Sequence, residues 1–215
     1  MTTIKIFLAS SEELKSERLV IAELVTKLNY VWAEYDVSIR LVKWEYLDSS
    51  MGAQHKQEDY NDHLRQCDMC VVLYWTKFGM YTEIELETAF NLYNSDSGLS
   101  KMSVFFKEGG EMTEGLKAFK ARYEAEHPDL CNSFDSKVGL KELFCQQIVS
   151  CLERKNEEDH SNLAKKVKRA EKLLASTEDD EPEYEEYKAN LESAKAALEH
   201  NESLMDKIKI SISDF

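Results

Sequence analysis

A chain of 215 residues with 43% hydrophobic content can bury a packed core, as one large domain or as an ordinary domain with an appendage. A formal net charge of −14, with no basic strip interleaved with aromatics, argues against nucleic acid as a direct ligand. No run approaches the ~18 apolar residues of a membrane helix, and the opening residues lack the basic start and apolar centre of a signal peptide, so the expectation is a cytoplasmic protein without a membrane partner.

Ile4 to Ala9 is a short apolar run ending in Ser10 and Ser11, and Ser10 with Glu13 has the spacing of a capping box, so a strand turning directly into a helix is predicted. Leu14, Ile21, Leu24, Val25 and Leu28 carry that helix at its proper period. A second strand follows over Ser38 to Trp44, then a long aperiodic loop, Glu45 to Gln57, and long loops in compact domains tend to be functional. A helix near Glu58 to Gln66 leads into Met69 to Trp75, the most strand-like run in the chain and the expected central strand.

After the loop Thr76 to Met80, a helix is expected from Tyr81 to Tyr93, then a strand over Met102 to Lys107 broken by Gly109 and Gly110. A helix over Met112 to Tyr123, an irregular stretch around Pro128 and a helix over Val138 to Leu152 complete the first domain. Strands alternating with helices in this rhythm predict an α/β fold, a flavodoxin-like doubly wound parallel sheet over residues 1–154.

From Lys155 the composition turns charged and Ala/Leu-rich, with Leu163, Val167, Ala170 and Leu174 on one seam. Tyr184, Tyr187, Leu191, Ala194, Leu198, Asn201, Met205 and Ile208 form another, across a turn near Asp179 to Pro182. An antiparallel C-terminal α-helical hairpin over residues 155–215 follows, with Asn201 on the seam as a register residue. Ile208, Ile210 and Ile212 alternate as in a strand, which leaves the last residues open between helix end and edge strand.

Cys67 and Cys70 have a C-x-x-C spacing, but no second pair or histidine cluster accompanies them, so buried free thiols are expected and no metal site. The glycine-rich phosphate loops of dehydrogenases and NTPases are absent. In open parallel sheets ligands bind beyond the carboxyl ends of the strands, where Ala9 to Ser11, Trp44 to Gly52 and Thr76 to Glu85 converge. On a helical wheel Glu83 and Glu87 fall together, whereas Glu85 falls between Leu92 and Ala89 on the core-facing arc. A carboxylate there needs either a salt bridge to a cation or a polar cleft to serve. Tyr81 sits one turn earlier on the same face, and an aromatic ring beside a carboxylate suits a ribose attached to a flat base.

The strand Ile4 to Ala9, the long loop after the second strand, the strand Met69 to Trp75 and the stretch Tyr81-Thr-Glu-Ile-Glu85 together resemble a bacterial TIR (Toll/interleukin-1 receptor) domain over residues 1–154. Enzymatic TIR domains carry an aromatic-x-x-x-Glu motif at this helix, usually with tryptophan first, and its glutamate cleaves NAD+. The resemblance implies Glu85 as the catalytic residue, Tyr81 in the place of the tryptophan, and Trp44 to Gln57 as an assembly loop. The Ser-aromatic pair usual after the first strand is here Ala9-Ser10.

The resemblance further implies an NAD+ glycohydrolase or ADP-ribosyl cyclase of the kind found in antiviral defence, with NAD+ as substrate and no separate cofactor. Ser10 and Ser11 would offer substrate contacts and Trp44, Phe78 and Tyr81 stacking surfaces. Their structural alternatives are a helix cap for Ser10, a strand-end core position for Trp44 and a packed loop anchor for Phe78. A homo-oligomer built from TIR contacts and the hairpin, with a downstream effector protein as a further partner, is also implied. The competing readings are a non-enzymatic TIR adaptor and a nucleoside deoxyribosyltransferase-like enzyme.

Overall fold

The computed structural model describes residues 2–43, 62–78, 82–95, 99–176 and 183–212, and excludes the side chains of Lys43 and residues 82–85. The chain divides into two compact units, Met1–Cys151 and Leu152–Phe215. The first is an α/β unit in the order β1 (Thr2–Ser10), α1 (Lys15–Trp32), β2 (Val37–Lys43), β3 (Met69–Tyr74), α2 (Thr82–Asn94), β4 (Lys101–Lys107), α3 (Glu114–Glu126), β5 (Cys131–Phe134) and the first part of α4 (Lys137–Ala175). Residues 62–65 are helical; the rest of the helix expected over Glu58 to Gln66, and the Trp44 to Gln57 loop, lie outside the described residues.

Among the described residues, five strands form one parallel sheet in the order β2-β1-β3-β4-β5, the flavodoxin-like order. β3 is central because its sequence, MCVVLY, is apolar at every position and all six residues are buried. Alternate strand residues Phe7, Ala9, Cys70, Val72, Tyr74, Met102, Val104 and Phe106 form one core with Leu86 and Ala89 of α2 and Leu116, Phe119 and Tyr123 of α3. The opposite phase, Leu8, Met69, Val71, Leu73 and Phe105, is buried on the other face. At the edge strand β2, the Asn29 side chain of α1 donates to the Ile39 carbonyl at 2.9 Å and accepts its N–H at 2.6 Å, which satisfies backbone groups that an edge leaves open.

Two details differ from the expectations, and one reading left open is settled. A fifth strand, β5, occupies part of the stretch expected to be irregular; only Phe134 of its four residues is buried, so no alternation marks it in the sequence. The helix expected to end at Leu152 instead runs through the compositional shift at Lys155 to Ala175 as one 39-residue helix, since Glu, Lys and Asn interrupt apolar periodicity without breaking a helix. The C-terminal isoleucines belong to α5 (Tyr184–Ile212), which is helical through Ile212.

Within the second unit, α4 and α5 pair antiparallel. Lys209 meets Glu153 at 2.7 Å and Lys195 meets Glu171 at 3.1 Å, so residues later on one helix face residues earlier on the other. Asn201 is 7% exposed on the seam, and its amide donates to Asn156 Oδ1 at 2.8 Å while the Asn156 amide donates to the Asn201 carbonyl at 3.3 Å. Among the described residues no helix is long and apolar enough to cross a membrane.

Candidate functional site

In this strand order the chain reverses direction across the sheet between β1 and β3, and the crevice beyond their carboxyl ends is where such sheets bind ligands. β1 ends at Ser10 and β3 at Tyr74, with Ser10 paired to Leu73 in the ladder, so Ser10, Ser11, Trp75 and Thr76 share this edge.

Ser10 and Ser11 are both buried. Arg18, 2% exposed on α1, donates from Nη1 to Ser10 Oγ at 2.6 Å and to the Ser11 carbonyl at 2.8 Å. Ser10 Oγ in turn donates to the Ser11 carbonyl at 3.3 Å. The capping box between Ser10 and Glu13 does not form. Ser11 precedes a short 3-10 turn, Glu12–Leu14, without any side-chain cap, and the Glu13 carboxylate reaches across to the loop after β3 instead.

That carboxylate gathers several donors. The Thr76 N–H donates to Oε1 at 3.0 Å, the Thr76 hydroxyl to Oε2, the Lys77 N–H to Oε1 at 3.4 Å and the Ser11 hydroxyl to Oε1 at 3.1 Å. Burial pushes the Glu13 carboxyl up, but the hydrogen bonds from Thr76, Ser11 and Lys77 outweigh it and hold the group below its ordinary value. The other side of Thr76 is also held, because its carbonyl accepts the Thr113 N–H at 2.8 Å, and Thr113 caps α3.

Glu17 and Lys107 form a second charged contact at this edge, 2.7 Å apart, with the Glu17 side chain 4% and the Lys107 side chain 21% exposed. Burial raises the Glu17 carboxyl, and the hydrogen bonds from Lys107 and Ser16, with the Lys107 charge, lower it further than burial lifts it. The Lys107 ammonium lies 4.0 Å from the centroid of the Trp75 ring. Gly110 closes against that indole: a Cβ at this position would overlap Trp75 Nε1 and Thr76 Cγ2, so the turn after β4 approaches β3 this closely only because residue 110 has no side chain.

Phe78 packs on the core that the sheet shares with α2 and α3. It packs edge-on against Tyr74 at 5.7 Å and Phe119 at 5.3 Å between ring centroids, the arrangement of a loop anchor. Glu85 belongs to the first turn of α2. Its side chain, and Trp44 and Tyr81 entirely, lie outside the described residues, so of the expected site residues the described edge brings together Ser10 and Ser11 and places Phe78 on the aromatic cluster.

Sequence reasoning passed over Glu17, Arg18 and Lys107 altogether, and it read Glu13 as a helix cap, Trp75 as a strand end and Thr76 as the start of a converging segment, without their contacts at this edge. A signal for Glu17 and Arg18 was present, since positions 17 and 18 continue the apolar stripe of Leu14, Ile21, Leu24, Val25 and Leu28, the same oddity that singles out Glu85.

Cys67, Cys70, Cys145 and Cys151 are buried and Cys131 is half-buried, all as free thiols. Burial pushes the Cys67 thiol up to about 12, a value at which it is neither a ready nucleophile nor a ready metal ligand. Among the described residues no group of three or more His, Cys, Asp or Glu side chains is arranged to hold a metal ion. Compared with models of known protein families and with curated proteins, the chain matches none.

Proposed function

We propose that this chain is a TIR-type enzyme that cleaves the bond between nicotinamide and ribose in NAD+, as a glycohydrolase or an ADP-ribosyl cyclase, with Glu85 as the catalytic carboxylate. The observation that supports this reading is the place of residue 85 in the chain, in the first turn of the helix that follows β3, the central strand of a 2-1-3-4-5 sheet and one of the two strands that border its β1/β3 switch point. On the helical wheel that position falls between Ala89, which is buried, and Leu92, which is half-buried, whereas Glu87 and Asn91 are exposed.

The chemistry asks little of the protein beyond one carboxylate. The glycosidic C–N bond breaks and its electron pair passes to the pyridinium nitrogen, so nicotinamide leaves as a neutral molecule and needs no general acid. The positive charge that develops on the ribose is stabilised by the carboxylate, as in glycoside cleavage. Water or a nucleophile within the remaining ADP-ribose then captures the sugar carbon and loses a proton, which gives a linear or cyclic product. Assembly of several copies, and a role in antiviral defence, rest on the TIR resemblance.

The test is to incubate concentrated protein with NAD+ and resolve the products by mass. Release of nicotinamide by the wild type, and a loss of turnover by Glu85→Ala of about a hundredfold or more, are the expected results. Turnover by Glu85→Ala at the wild-type rate removes this residue from the mechanism. A wild type that consumes no NAD+ but retains a binding partner would make the chain an adaptor.

A further inference from the structure

From the Glu13 hydrogen bonds we infer that Glu13 is a positioning residue, a carboxylate latch between the turn after β1 and the loop after β3 that sets where the start of α2, and with it Glu85, stands at the switch point. The inference rests on the proposed reaction at Glu85. Its geometric basis is independent of that reaction.

The loop after β3 begins at Trp75, and α2 begins at Thr82. A loop of this kind is held only where its backbone finds partners. Here Thr76 is held at three points: its N–H and hydroxyl by Glu13, its carbonyl by the Thr113 N–H. Glu13 lies 63 residues away in sequence, on the turn that leaves the neighbouring strand β1. The β1–β3 ladder ends at Ser10 with Leu73, and the Glu13 carboxylate carries the fastening past it, from the turn after β1 to Thr76 and Lys77 of the loop after β3. An ionised carboxylate suits the task because it accepts from several donors at once and makes stronger hydrogen bonds than a neutral acceptor.

The closest neighbouring interactions do not duplicate the latch. Arg18 holds Ser10 and the Ser11 carbonyl, which belong to the β1 side alone. Lys107 and Glu17 join β4 to α1, and Phe78 packs on the aromatic face through Tyr74 and Phe119. Glu13 alone among these joins the β1 turn to the Thr76 and Lys77 amides.

The experiment compares wild type, Glu13→Ala, Glu13→Gln and Thr76→Val in the full chain, by hydrogen exchange at the Thr76 and Lys77 amides and by kcat and KM for NAD+ measured per folded molecule. The expected result is faster exchange at both amides in Glu13→Ala with kcat reduced about ten- to a hundredfold and KM nearly unchanged, the pattern of a misplaced catalytic group. Glu13→Gln keeps an acceptor oxygen of the same reach and is expected to restore part of both readouts. Thr76→Val loses one donor and falls between wild type and Glu13→Ala.

Unchanged exchange in Glu13→Ala overturns the latch. Faster exchange with an unchanged kcat overturns the positioning role while the latch stands. A wild type inert toward NAD+ overturns the reaction at Glu85 and the positioning role with it, and the exchange data then report on the latch alone.

Discussion

The two edges of the sheet are fastened by the same chemical device in opposite styles. At the amino edge, Asp68 precedes β3 and its Oδ2 accepts the Lys5 N–H at 2.7 Å. Around it the connections are main chain: the Asp68 N–H donates to the Lys5 carbonyl at 2.8 Å, and the Asp68 carbonyl accepts from Ser100 and Lys101 at 2.9 and 3.1 Å. At the carboxyl edge one main-chain bond, from the Thr113 N–H to the Thr76 carbonyl, is joined by connections through ionised side chains, Glu13 to Thr76, Glu17 to Lys107 and Arg18 to Ser10. Main-chain fastening tolerates many sequences, because every residue carries the same groups. Side-chain fastening depends on particular residues, and evolution can retune it without altering the sheet.

The comparison breaks most visibly at Glu17. Removing it in Glu17→Ala leaves the Lys107 ammonium half-enclosed with the Trp75 ring as its main described partner, and stability to urea should fall by about 3 kcal/mol. A loss under about 1 kcal/mol would mean that solvent screens the pair as it screens surface pairs. At the other edge, Asp68→Ala removes one hydrogen bond to a charged acceptor and should cost about 2 kcal/mol in the same assay. It should leave the rate of the proposed NAD+ cleavage unchanged, since the edge it fastens lies away from the proposed site.

Acid sharpens the contrast by a smaller amount. Glu13 and Glu17 both sit below their ordinary value of 4.5 when folded, so each adds stability while ionised, and that contribution is lost as the pH falls through the lowered folded values. Stability should therefore decline below pH 4.5, and the decline should be shallower in Glu13→Ala, which has no such carboxylate to protonate. Urea midpoints compared at neutral and acid pH would read the difference, and parallel declines in the two proteins would remove Glu13 from the acid response.

Much of the fold was legible because local patterns and tertiary roles coincide. Met69 to Tyr74 is apolar at each position and lies at the sheet's centre, and Leu86 and Ala89 follow the helical period on to the core. Legibility failed where a residue's role depends on a distant partner. Ser10 and Glu13 have capping-box spacing, yet the carboxylate is taken by donors 63 residues on, which no local window reveals. Glu17 and Arg18 stand out only by their place on the apolar stripe of α1, and their partners, Lys107 at the end of β4 and Ser10 at the end of β1, come together only in the folded sheet. β5 escaped because a four-residue edge strand with one buried side chain has no period, and α4 looked like two helices because apolar spacing lapsed while helix propensity did not. For the candidate site, Ser10 and Ser11 were found at the edge, but with their polar groups already engaged by Arg18 and Glu13.

The crossed amides of Asn156 and Asn201 carry a consequence for the helical pair. Sliding α5 along α4 by one heptad displaces it about 10 Å and would strand both polar side chains against aliphatic neighbours. Aliphatic seams alone permit such slippage at little cost; this pair of side chains makes one alignment preferred over its neighbours. The second unit thus behaves as a keyed rod of fixed length and phase, in which insertions of a whole heptad into one helix alone would be felt at the Asn pair first.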